Sequence, residues 1–164
     1  MNSSKKVVLV GHFGVGKSSL VRRFVQNSFS DSYIVTIGVH ILKKELKINN
    51  QNITLVIWDI EGKDDFKKVR SSYLLGTSGF IYVIDPTRPQ TYERFNDEID
   101  YIKTEYPKVA LLTVANKSDL INLPEFQLAM TYKKISIDYY TSAKTGNEVE
   151  NVFTNLSQKM LENA

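Results

Sequence analysis

The chain has 164 residues, 42% hydrophobic and 24% charged, a length and balance that suit one soluble globular domain with a sizeable core. A formal net charge of +3 is too small to mark a nucleic-acid binder, and the absence of cysteine excludes disulfides, thiolate metal sites, prenylation and palmitoylation within these residues. No apolar run approaches a membrane span, Met1-Asn2-Ser3-Ser4 is no signal peptide, and Asn2 stands where N-myristoylation needs glycine, so a cytoplasmic location is expected.

Taken in order, Lys5 to Val10 predicts a buried parallel strand. A glycine-rich turn follows, then a helix from Lys17 to about Gln26 or Asn27 with Leu20, Phe24 and Val25 on its apolar side. Ser28 to Thr36 is polar and poorly periodic. Val39 to Ile48 alternates, with Leu42, Leu46 and Ile48 inward and Lys43, Glu45 and Lys47 outward. Asn49-Asn50-Gln51 signals a turn and Ile53 to Ile57 a second strand, which makes the pair a hairpin. A charged run reaches Arg70. Gly79 to Ile84 predicts a strand ending at Asp85, and Thr91 to Tyr106 a helix stopped by Pro107. Val109 to Ala115 predicts a strand ending at Asn116, Pro124 to Tyr132 a short helix, Ser136 to Tyr140 the last strand, and Glu148 to Leu161 an amphipathic helix. Strands alternating with helices imply an α/β fold, a sheet parallel apart from one hairpin, in one domain over 1–164. Ligands on such sheets sit beyond the strand C-termini.

The polar residues that stand out cluster at those ends. Gly11-His12-Phe13-Gly14-Val15-Gly16-Lys17-Ser18, followed by Ser19, links a strand to a helix. Its glycines let backbone N–H groups turn inward toward a phosphate, and the helix N-terminus adds a positive dipole end. Lys17 supplies a compact charge and Ser18 a hard oxygen ligand for Mg²⁺. Asp59 is placed to hold a metal-bound water near Ser18, Gly62 to bring an N–H to a terminal phosphate, and Thr36 to add a second hydroxyl. In Asn116-Lys117-Ser118-Asp119, the Asp119 carboxylate can accept two N–H bonds from guanine, where adenine presents an acceptor instead. Asn116 can brace the loop, Lys117 can lay its stem across the nucleoside, and Ser142-Ala143-Lys144 can offer a backbone N–H to the guanine carbonyl.

With these motifs in this order and spacing, the chain resembles the small GTPases of the Ras superfamily over nearly its whole length, a P-loop NTPase fold with helices on both faces of a six-stranded sheet. Thr36-Ile37-Gly38-Val39, Trp58 before Asp59 and Ser71-Ser72-Tyr73 are most similar to the Rab branch. The resemblance implies GTP or GDP with Mg²⁺ as ligands. It implies that Lys17 binds the β- and γ-phosphates, that Ser18 and Thr36 ligate the metal, and that Gly62 senses the γ-phosphate. It also implies that Phe29 packs edge-on against guanine, that Tyr33 lies near the phosphates, and that residues 29–40 and 60–75 form two switch segments. Effectors and regulators are then expected on those switches and the hairpin between them, and the molecule is expected to be a monomer.

Four departures carry consequences. Lys63 stands where the family has a water-orienting glutamine, and an ammonium has three donors but no acceptor. Phe13 fills a position that is small in the family, next to the γ-phosphate. Ile60-Glu61 replaces Thr-Ala and brings a carboxylate that must point away or pair, with Lys63 or Lys67. No cysteine-bearing tail follows Leu161, so no direct lipid anchor is expected from these residues. Slow hydrolysis is the expectation, against the alternative that Glu61, Asp64 or Asp65 takes over from the glutamine. Two competing readings remain: a nucleotide-locked interaction module without useful hydrolysis, and a P-loop kinase or ATPase, which Asn116 to Asp119 argues against.

Overall fold

The computed structural model describes residues 2–30 and 36–163, which leaves Tyr33 outside the described residues. Its strands are β1 (Asn2–Gly11), β2 (Val39–Ile48), β3 (Gln51–Ile60), β4 (Gly79–Ile84), β5 (Ala110–Ala115) and β6 (Tyr139–Tyr140). They lie in one sheet in the order β2-β3-β1-β4-β5-β6. Only β2 and β3 run antiparallel; the other neighbours are parallel.

Both faces of the sheet are covered. In β1, Val7 and Leu9 enter one core with α1 (Lys17–Gln26) and α5 (Val149–Glu162), where the Phe24 and Phe153 rings stack at 4.0 Å. Val8 and Val10 enter the opposite core with α2 (Ser71–Leu74), α3 (Phe95–Glu105) and α4 (Leu123–Tyr132). Burial on both faces is why this strand reads as an unbroken apolar run. In β2, Leu42 and Leu46 pack on the first core while Lys43, Glu45 and Lys47 are exposed, as the alternation requires. Asn49 and Asn50 make the two-residue turn, with φ of 50° and 65°, values that asparagine tolerates better than most residues.

Several boundaries differ from expectation, and β1 begins at Asn2 rather than Lys5. β3 continues to Ile60, so Asp59 lies within the strand, paired with His40, rather than after it. The last strand is Tyr139–Tyr140 alone. The Asp138 carboxylate accepts the Thr113 N–H at 2.8 Å, taking a donor that a longer β5–β6 ladder would use. The helix foreseen from Thr91 starts at Phe95, after a 3₁₀ turn at Pro89–Thr91. There the Thr91 hydroxyl accepts the Asp85 N–H at 2.9 Å and lies 2.8 Å from the Arg88 carbonyl, which fixes a turn in place of the first helical residues. The charged run after Gly62 becomes a second 3₁₀ turn, Phe66–Lys68, and then α2, with Phe66 and Leu74 buried. No helix among the described residues is long and apolar enough to cross a membrane.

Candidate functional site

The glycine turn between β1 and α1 builds one wall of a cavity of about 270 Å³ at the C-terminal ends of the parallel strands. Gly14 and Gly16 have φ of 78° and 100°, which L side chains rarely adopt. A Cβ on Gly16 would collide with the Asn116 side-chain amide. Val15 is fully buried and pins the turn to the core, while Phe13, Gly14, Gly16, Lys17, Ser18 and Ser19 line the cavity. The first turn of α1 has no acidic residue, and no side chain caps it, so its N–H groups are left for an anion.

Lys17 is 6% exposed, and its ammonium donates to the carbonyls of Gly11 and His12 at 3.2 and 3.0 Å. Burial lowers its pKa to about 8, partly offset by the charge of Asp59. An ammonium whose hydrogen bonds among the described residues go to carbonyls, in a nearly dry site, is a strong receptor for phosphate oxygens.

Ser18, Thr36 and Asp59 converge beside it. The hydroxyls of Ser18 and Thr36 are 2.7 Å apart, Thr36 donates to Asp59 at 3.1 Å, and Ser18 donates to the same carboxylate oxygen. The other oxygen, Asp59 Oδ1, is buried with no hydrogen-bond partner among the described residues. An orphaned buried carboxylate oxygen flanked by two hydroxyls fits a small, hard, oxygen-seeking cation such as Mg²⁺. Burial pushes the Asp59 carboxyl up, against the Ser18 hydroxyl and the Lys17 ammonium, and a divalent cation would reverse that shift.

The far wall comes from the ends of β5 and β6. Buried Asn116 donates to the Val15 carbonyl at 3.2 Å and accepts from the Thr141 hydroxyl at 3.1 Å and the Ala143 N–H at 3.2 Å, tying three loops together. Lys117 is held with φ of 59°, and its ammonium reaches the Gly14 carbonyl at 2.9 Å. Asp119 lines the cavity, and one of its oxygens accepts the hydroxyl of buried Ser142 at 2.8 Å. Ala143, Lys144 and Phe29 complete this end; Ser142 and Val15 do not line the cavity.

On the phosphate side, Gly62 presses against the turn: a Cβ there would come within 2.5 Å of the Phe13 backbone. Phe13 is 49% exposed at the cavity mouth, and Arg88 donates to its carbonyl at 2.8 Å. Lys63 does not line the cavity. Its ammonium lies 3.6 Å from Glu61, whose other oxygen accepts the Gly38 N–H at 3.1 Å. The carboxylate at 61 therefore pairs with Lys63, one of the two partners the sequence allowed. The alternative water-positioning residues are also engaged: Asp64 takes the Lys68 ammonium at 2.8 Å, and Asp65 takes the Lys67 N–H at 3.0 Å and Arg94 at 3.1 Å. These hydrogen bonds lower both carboxyls, which makes them weaker bases.

Sequence reasoning passed over two residues. Asp85 is completely buried at the end of β4 and pairs with Lys117 at 2.8 Å; its place at a strand terminus was the available signal. Arg88 gave no local signal, because only the fold brings it 75 positions back to Phe13.

Sheet order, glycine turn and converging loops together define a P-loop NTPase G domain. The sequence model of the Ras family matches residues 6–162. Ras-related protein Rab-1 of Theileria annulata is 35% identical over 164 aligned residues, covering 94% of this chain and 73% of the relative. Rab-1A of Dictyostelium discoideum is 36% identical over 94% of this chain and 79% of its own length. The GTP-binding protein ypt1 of Schizosaccharomyces pombe is 34% identical over 96% of this chain and 80% of its own length. The chain belongs to the Ras family, on its Rab branch.

Proposed function

We propose that residues 1–164 act as one guanine-nucleotide switch that binds GTP and GDP with Mg²⁺ and hydrolyses GTP slowly. In this reading Lys17 and the N–H groups of the glycine turn hold the β- and γ-phosphates. Asp119 selects guanine, backed by Ser142, with Asn116, Lys117, Ala143, Lys144 and Phe29 shaping the base site. Ser18, Thr36 and Asp59 hold the metal, which supplies charge neutralisation at the phosphates. Gly62 reports the γ-phosphate through its N–H. A cytoplasmic, monomeric molecule with protein partners on the two switches and the β2–β3 hairpin completes the proposal. Ile41 and Trp58 face each other across that hairpin, with Tyr73 6.4 Å from Trp58, and offer the apolar anchor.

One observation carries the slow rate. Lys63 is tied to Glu61 and offers no acceptor to an attacking water. The nearby carboxylates of Asp64 and Asp65 are engaged elsewhere. Losing one preorganised catalytic contact costs on the order of a hundredfold in rate. The same pairing favours the second reading, a nucleotide-locked interaction module. Single-turnover hydrolysis of preloaded GTP, for the parent beside Lys63→Gln and Phe13→Gly, tests this. A slow parent that Lys63→Gln accelerates supports the switch with a restrained timer. An inert parent that neither substitution rescues supports the locked module. A parent as fast as a relative bearing glutamine overturns the slow reading.

A further inference from the structure

Glu61 sits where the two switch segments meet, and its side chain touches both. Its backbone N–H donates to the Gly38 carbonyl at 2.8 Å, continuing the β2–β3 ladder by one rung. Its Oε2 accepts the Gly38 N–H at 3.1 Å, so both polar groups of the Gly38 backbone end on one residue. Its Oε1 lies 3.6 Å from the Lys63 ammonium, and the Lys63 N–H donates to the Gly11 carbonyl at 3.1 Å. Gly38 has φ of +75°, a conformation suited to glycine, which turns its N–H toward the carboxylate. Thr36, two residues earlier, is in hydrogen-bond reach of Ser18 and Asp59.

We infer that Glu61 is a positioning residue that latches the first switch to the second, holding Thr36 over the metal position independently of the γ-phosphate. The alanine usual in the resembling family cannot do this, because it has no acceptor to offer Gly38. In such a protein the γ-phosphate is the main tie on the first switch, and its loss frees the segment. Here the Gly38 bonds persist whichever nucleotide is bound. Residues 36–40 then stay in place with GDP, and over these residues the two states differ less than in an unlatched switch. The carboxylate also draws the Lys63 ammonium to itself and away from the phosphates.

The inference rests on the guanine-nucleotide reading above, and the test separates the two. Amide hydrogen exchange over residues 36–40 is measured on the full chain loaded with GDP or a non-hydrolysable GTP analogue, both with Mg²⁺. Glu61→Ala removes both contacts. Glu61→Gln keeps an acceptor for Gly38 but no charge for Lys63, and Lys63→Met removes the ion pair alone. The parent is expected to protect 36–40 to within about threefold between the two nucleotides. Glu61→Ala is expected to raise exchange in the GDP form about tenfold, the loss of the hydrogen bond to the Gly38 N–H, and to speed GDP release by a similar factor. Glu61→Gln and Lys63→Met are expected to stay close to the parent. A GDP-loaded parent that exchanges as fast as Glu61→Ala overturns the latch, as does equal loss in the Gln and Ala variants. A parent that binds no guanine nucleotide overturns the proposed function and the latch together.

Discussion

The Lys117 ammonium lies 2.8 Å from a carboxylate oxygen of Asp85, a side chain with no exposed surface. The same ammonium donates to the Gly14 carbonyl at 2.9 Å, and the other Asp85 oxygen accepts the Thr87 N–H at 2.9 Å. One ion pair therefore joins the end of β4, the glycine turn and the loop that follows β5. Lys117→Met would leave the carboxylate buried without a cation. Breaking a fully buried pair costs 3–5 kcal/mol, and because Lys117 is 33% exposed the expected loss here is nearer ~2 kcal/mol. Urea unfolding would measure it, and faster GDP release should accompany it as the turn loses its tether.

The depressed pKa of Lys17 predicts opposite pH trends for stability and for ligand binding. In the nucleotide-free protein, burial lowers this group from 10.5 to about 8. Between these values the unfolded chain binds more protons than the folded one, so this residue's contribution to stability rises as the pH rises from 8 to 10.5. A bound phosphate favours the charged ammonium and lifts its pKa again. Nucleotide binding should therefore take up a proton above pH 8, and affinity should fall by up to about tenfold per pH unit there. Calorimetry at pH 8.5 in two buffers of different ionisation enthalpy would count that proton, and Lys17→Met should abolish it.

Most of the sheet was legible because its strands are buried on both faces and stand out as apolar runs; Gly79 to Ile84 is an example. The turn residues were legible for a related reason. Gly14 and Gly16 need backbone conformations that few other residues adopt, so composition records geometry directly. Tyr139–Tyr140 was harder to bound, because a side chain, Asp138, competes with the backbone for Thr113, and composition does not announce that competition. The pairing of Glu61 with Lys63 was foreseen as one of two options, but its bond to Gly38 depends on the hairpin register, which places Val39 opposite Ile60. Arg88 on Phe13 depends wholly on tertiary folding.

Glu98 is a buried carboxylate on α3 that also holds the segment after Gly62. It accepts the Phe66 N–H at 2.8 Å and the Tyr82 hydroxyl. Burial first, and then the charge of Glu98, push the Tyr82 phenol up, so it remains a donor at any physiological pH. Glu98→Ala strands two buried donors, which costs about 1–3 kcal/mol for each. Tyr82→Phe removes one donor and should cost less. The two changes share one hydrogen bond, so the double variant should be more stable than the sum predicts by about 1 kcal/mol or more. Thermal unfolding of the four proteins closes that cycle. Strict additivity would mean that the Tyr82–Glu98 bond contributes nothing.

In the proposed function Asp119 carries the choice of base, and competition binding reads it directly. A carboxylate accepts two N–H groups side by side and donates none. Guanine offers such a pair of donors; adenine presents an acceptor there, and a base seated over Asp119, itself exposed, would then leave the carboxylate covered and facing a lone pair. GTP should displace labelled GDP at least about a hundredfold better than ATP, in line with discrimination by an unpaired buried polar group. Asp119→Ala should cut GDP affinity by about a hundredfold and bring GTP and ATP closer together. Ser142→Ala should have a smaller effect, about tenfold, because its hydroxyl orients one Asp119 oxygen at 2.8 Å and need not touch the base. Equal displacement by GTP and ATP in the parent would remove Asp119 from the selecting role and reopen the ATPase reading.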